Sequence, residues 1–155
     1  MSETVYFYRT AHPFSNFHPS VFVENGVTYR WAEQYLMARK ARLFGDEERL
    51  GAILTARTPA ECKALGRRVT PYGDELWAQE RYGAALDMLR LKFGQNGNLR
   101  RALLETGDAE LVEASPTDRI WGVGFSEQEA EANRHAWGEN LLGRALMEVR
   151  AELKE

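Results

Sequence analysis

Glu33 and Lys40 are the two residues best placed to do chemistry. They lie two turns apart in Trp31-Ala-Glu-Gln-Tyr-Leu-Met-Ala-Arg-Lys-Ala-Arg-Leu-Phe44, a stretch free of Gly and Pro and rich in helix formers. On a helical period, Glu33, Leu36, Met37, Lys40 and Phe44 share one side,. A carboxylate and an amine on an apolar face are costly unless paired, and such settings move pKa values toward the catalytic range. Two readings follow. One is a structural ion pair or a pair of snorkelling side chains; the other is a general acid–base beside a usable amine nucleophile.

A second group surrounds Asp118 in Ser115-Pro-Thr-Asp-Arg-Ile-Trp-Gly-Val-Gly124. Asp118 offers a second carboxylate and Trp121 a stacking surface, while Gly122 and Gly124 permit close backbone approach to a ligand. Alternatively, Asp118 bonds local amides and Trp121 fills core. The spacing matches neither a phosphate loop nor a dinucleotide fingerprint. Trp77, Arg81 and Lys92 belong to a third segment, where Arg81 and Lys92 could clamp a phosphate or bury their stems with solvated heads. Phe14-Ser15-Asn16-Phe17 lies in a Pro-containing loop. Ser15 and Asn16 could donate to a sugar or base beside Phe17; alternatively, the two Phe residues pin the loop while Ser and Asn satisfy its backbone. His12 and His18 lack partners at ligand spacing, and no metal cluster is expected.

The elements that must hold these residues are legible. The chain has 155 residues, 44% apolar and 28% charged, with net charge −3. That suits one globular domain over 1–155 and argues against bulk nucleic-acid binding. Cys62 is the single cysteine. It cannot form an intrachain disulfide and reads as a filler rather than a nucleophile. The polar start and the absence of a long apolar run predict no signal peptide, no membrane span and a cytoplasmic protein. A strand is expected over Thr4–Arg9, and a hairpin over Val21–Tyr29 around Asn25-Gly26, forming a short meander. Helices are expected over Glu47–Ala56, Thr58–Arg67 (a capping box with Pro59 at its first position), Glu75–Phe93, Leu99–Thr106 and Glu139–Leu153, and a strand over Ala109–Ala114.

Several segments together resemble the YbiA-like or NADAR family. They are Phe14-Ser15-Asn16-Phe17, Glu33-Gln34-Tyr35 with Arg39-Lys40-Ala41, Trp77 to Arg81, Lys92-Phe93, Ser115 to Gly124, and Asn140-Leu141-Leu142-Gly143 leading to Leu146-Met147-Glu148-Val149-Arg150. Their order and spacing carry the resemblance more than any one of them. It implies hydrolysis of an N-glycosidic bond in early riboflavin-pathway intermediates carrying ribose 5-phosphate; some members instead remove ADP-ribose from guanine in DNA or nucleotides. It also places Glu33, Trp77, Asp118 and Trp121 at positions tied to substrate handling or chemistry, and Lys40 at a family lysine. The family often has Glu-His-Tyr where this chain has Glu33-Gln34-Tyr35, and Gln34 is expected to point away from Glu33, about 100° round the helix.

The resulting expectation is an α+β fold, mostly helical, with a small antiparallel sheet. Its pocket is expected between the Glu33 helix, the Trp77 helix and the Asp118–Gly124 loop. Glu33 and Asp118 are the carboxylates, and Lys40 is a Schiff-base nucleophile or a charged partner. Trp77 and Trp121 stack on the heterocycle, Arg81 and Lys92 hold phosphate, and no cofactor is needed. The substrate is a phosphorylated ribosylamine or ADP-ribosylated guanine. A binding module holding an ADP-ribosyl or nucleotide ligand without turnover is the rival from another class.

Overall fold

The computed structural model describes residues 3–155; Met1 and Ser2, where the polar start begins, lie outside them. The described residues form two compact units, one comprising Asn16–Asn96 and the other the chain up to Ser15 together with Gly97–Glu155.

In the Asn16–Asn96 unit, strands β2 (Pro19–Glu24) and β3 (Val27–Trp31) pair antiparallel as the expected hairpin. Its turn has both Asn25 and Gly26 at positive φ, the conformation that favours this dipeptide. Helix α1 (Ala32–Phe44) follows directly and stops at Gly45, which takes the left-handed conformation,. Every residue from Ala32 to Ala38 is buried, so the helix is enclosed on all sides through its first two turns. Around it pack β3, α2 (Glu47–Leu54), α3 (Pro59–Gly66) and α4 (Asp74–Gln95). Gly66 leaves room for the Met37 thioether, which would have to shift to admit a Cβ there.

Side-chain caps open α2 and α3. Asp46 accepts from the Arg49 amide to open α2 and, through its other oxygen, from the Thr70 amide,. These two amide bonds hold its carboxyl below the ordinary carboxylate range. Thr58 accepts from the Glu61 amide, and Glu61 returns a bond to the Arg57 amide rather than to the cap residue itself,. The long helix α4 runs through Gly94, two residues past its expected end at Phe93. The next two side chains then bond a strand edge: Gln95 exchanges two hydrogen bonds with the Val23 backbone, and Asn96 donates to the Val21 carbonyl. The exposed rim of the hairpin is thereby covered, which blunts edge-to-edge association.

The second unit corrects the expected meander. Strand β1 (Thr4–Phe7) pairs in parallel with β4 (Glu110–Glu113), from the far end of the sequence, and not with the hairpin. Local pattern predicts a strand but not its distant partner. Val112, Val123 and Ala130 form a core against Tyr6, Phe125 and Trp137. Helix α5 (Gly97–Glu105), helix α6 (Glu127–Ala130), a 3₁₀ turn (Glu131–Ala136) and helix α7 (Leu141–Leu153) complete it. Neither α6 nor the 3₁₀ turn was anticipated; both are too short to show a period. No helix among the described residues is long and apolar enough to cross a membrane.

Candidate active site

Glu33 enters α1 one residue after the hairpin, and its amide donates to the Asn16 carbonyl at 3.0 Å. That bond ties the Asn16 loop to the first turn of α1. The Glu33 side chain is buried. The Asn16 side-chain oxygen is also buried and has no hydrogen-bond partner, an unusual state for a buried acceptor. Gln34 is committed to the fold. Its oxygen accepts from the Arg30 amide at 2.8 Å, and its nitrogen donates to the Ile53 carbonyl at 3.0 Å.

Two turns on, Lys40 is half-buried, and its ammonium lies 4.6 Å from the centre of the Tyr72 ring, within the range of a cation–π contact. Burial lowers the Lys40 pKa; the charges of Glu33 and Asp74 oppose that shift, and Arg67 adds to it,. Tyr72 is braced by Phe44, with ring centroids 5.1 Å apart. Burial first, then a hydrogen bond to Asp74, raises its phenol pKa, while the Arg81 charge lowers it. One amine is thus faced by a buried carboxylate, an aromatic ring and charges of both signs. Tyr72, Asp74 and Arg67 were not anticipated in this role. Local pattern marks the first two as turn residues and Arg67 as a charge at a helix end. The turn residues Pro71-Tyr72-Gly73-Asp74 gave no hint of which helix they would face.

Trp77 is buried in the first turns of α4, and Arg81 is half-buried one turn later. Lys92 departs from expectation. Its side chain is fully buried, and burial lowers its pKa to about 7. An ammonium with no exposed surface does not present a clamp to a phosphate arriving from water. Phe17 is half-buried, with the Lys63 ammonium 5.9 Å from its ring centre. Cys62 is fully buried, and burial pushes its thiol up to about 12, which removes it as a nucleophile.

In the other unit, Ser15 is buried and its amide donates to the His12 carbonyl at 3.0 Å. The His12 ring lies against Phe7 and Phe14 and accepts from the Phe14 amide. The Asp118 loop is tied to its own backbone. Asp118 Oδ1 accepts from the Ile120 and Trp121 amides, both at 2.9 Å. The Ile120 and Trp121 carbonyls accept from the amides of Leu141 and Leu142, the first donors of α7, which would otherwise be orphaned. Trp121 is half-buried.

Gly122 is needed for a different reason from the one expected. A Cβ there would sit 2.8 Å from the Glu113 carbonyl, so its bareness admits its own strand. Gly143 is pressed in the same way against the Leu111 carbonyl and Asn140. Asn140, at positive φ, bonds both the Leu111 carbonyl and the Glu113 amide of β4. Among the described residues, no group of three or more His, Cys, Asp or Glu side chains is placed to hold a metal ion.

A family profile described as NADAR domain matches residues 6–154. The chain belongs to the NADAR family. It is similar to N-glycosidase R617 of Acanthamoeba polyphaga mimivirus, 43% identical over 148 residues, covering 91% of this chain and 87% of that protein. The NMR structure of the E. coli protein YbiA superposes with a TM-score of 0.81 at 32% identity, covering 99% of this chain and 87% of that one. Riboflavin biosynthesis protein VVA0006 of Vibrio vulnificus is 35% identical over 158 residues, spanning all of this chain and 40% of that protein. The NADAR match takes in both units, from β1 to the end of α7.

Proposed function

We propose that this NADAR-family N-glycosidase cleaves the N-glycosidic bond of ribosylated aminopyrimidine 5-phosphates and releases ribose 5-phosphate. The observation that carries the reading is the half-buried Lys40 amine, on one helix with the buried Glu33 carboxylate. The similarity to a riboflavin biosynthesis protein supports this substrate class.

Every group assigned here belongs to the Asn16–Asn96 unit. A ribosylamine opens to a protonated imine at the anomeric carbon, its ring oxygen taking a proton from solvent. Neutral Lys40 Nζ adds to that carbon, and Glu33 carries a proton from Nζ to the heterocycle's nitrogen. The bond from carbon to that nitrogen breaks, and the aminopyrimidine leaves with the electron pair. Lys40 is left as a protonated imine. Water adds to the carbon, one of its protons passes to Nζ and the other returns to solvent, the bond to Nζ breaks, and the sugar phosphate departs as its aldehyde with the amine restored. Desolvation serves this route because it enlarges the neutral fraction of the amine. Trp77 stacks on the heterocycle and Arg81 holds the phosphate.

Borohydride added during turnover of a ribosylaminopyrimidine phosphate tests the route. A reduced sugar phosphate fixed to Lys40, found by intact mass and peptide mapping, is expected. An active, saturated enzyme without adduct, or normal activity in Lys40→Ala, refutes it. Turnover of ADP-ribosylated guanine in its place would move the substrate class.

A further inference from the structure

Tyr72 remains unassigned in that sequence of steps, although it is the aromatic ring against the reacting amine. It is 43% exposed, so water reaches it and it is not core. Yet its ring packs against Phe44, with ring centroids 5.1 Å apart. The turn bearing it is held as well, because Asp46 takes the Thr70 amide two residues earlier. An exposed ring held this firmly presents a fixed face, and that face meets the Lys40 ammonium at 4.6 Å. The faces of Phe, Tyr and Trp all attract a cation. The protonated imine keeps the charge on the same nitrogen.

Resting on the Schiff-base reading above, we infer that the Tyr72 ring is a positioning surface for Lys40, aiming its amine at the anomeric carbon and stabilising the cationic imine that follows. The ring does this, not the phenol.

Variants that keep or lose the ring test this. In Tyr72→Phe and Tyr72→Trp, kcat and the rate of borohydride-trapped adduct stay near wild type. In Tyr72→Leu and Tyr72→Gln, both fall by roughly two- to thirtyfold, the range of a cation–π contact. Melting temperatures stay within about 3 °C of wild type, as for an exposed position. Should one ringless variant melt early, the other decides. If an adduct-forming wild type is matched in rate by the ringless variants, this inference fails and the Lys40 route stands. If Tyr72→Phe is as slow as Tyr72→Leu, the hydroxyl is the working group and the inference also fails. A wild type that turns over without any adduct overturns the covalent route, and this inference with it.

Discussion

The Lys40 cluster and the Asp118 loop carry the same kind of sequence signature, polar groups set among aromatic and apolar ones, and the fold uses them differently. In the loop, Asp118 Oδ1 is occupied by two amides, successive carbonyls cap α7, and Gly122 makes room for the protein's own strand. Around Lys40, the side chains converge on one half-buried amine whose charge state they contest. A polar residue whose bonds close within its own loop holds shape. One held among opposing charges, at the cost of desolvation, is available for chemistry.

The largest expected effect breaks or keeps that contrast directly. Glu33→Gln retains shape and removes charge, and should lower kcat by at least about a hundredfold, the usual scale for losing an acid–base group. Its melting temperature should stay near wild type. Asp118→Asn keeps an oxygen for the Ile120 and Trp121 amides, and should leave kcat within about tenfold. Near-normal turnover in Glu33→Gln would make Glu33 structural. A hundredfold loss in Asp118→Asn would make Asp118 the second carboxylate of the reaction and erase the distinction between the two regions.

Stability should show the reverse pattern. Asn140→Ala removes two hydrogen bonds to β4, the one to the Leu111 carbonyl fully buried, a loss of about 2–4 kcal/mol. Gly122→Ala forces a methyl against the Glu113 carbonyl and should cost about 1–3 kcal/mol,. Urea midpoints read both, and activity per folded molecule should hold. A loop variant of wild-type stability but poor KM would mean that the loop meets substrate after all.

Much of the fold was legible because it is written locally. The 3.6-residue pattern gives α1 and α4, Asn25-Gly26 gives the hairpin, and Thr58-Pro59 with Glu61 gives the start of α3. Helix boundaries shift by a residue or two at most ends, as fraying and caps decide them. What the sequence could not show is pairing at a distance. The parallel ladder of β1 with β4 has no local mark, and neither does the arrival of Tyr72 over Lys40. Lys92 misled for a related reason. A lysine beside Phe93 near a helix end looks like a snorkelling charge, and only the packed interior reveals it as fully buried. Gly122 was singled out correctly as a close approach, but its neighbour is backbone.

The smallest effect sharpens the contrast most, because it asks for opposite signs from two exposed charges. Asp74 raises the Lys40 pKa and Arg67 lowers it. The neutral amine is the attacking form, so kcat should rise with pH along a limb set by Lys40, below the ordinary lysine value of 10.5 because burial lowers it. Asp74→Asn withdraws a charge that favours ammonium; Lys40 then loses its proton at lower pH, and the limb moves down. Arg67→Gln withdraws a charge that disfavours ammonium, and the limb moves up. Both groups face water, so each shift should be a few tenths of a pH unit and should shrink as salt is raised. The same substitutions leave Asp118 and its loop untouched, so stability at neutral pH is the control. Shifts of one sign in both variants, or a limb that ignores both, would mean that the group titrating in turnover is not Lys40.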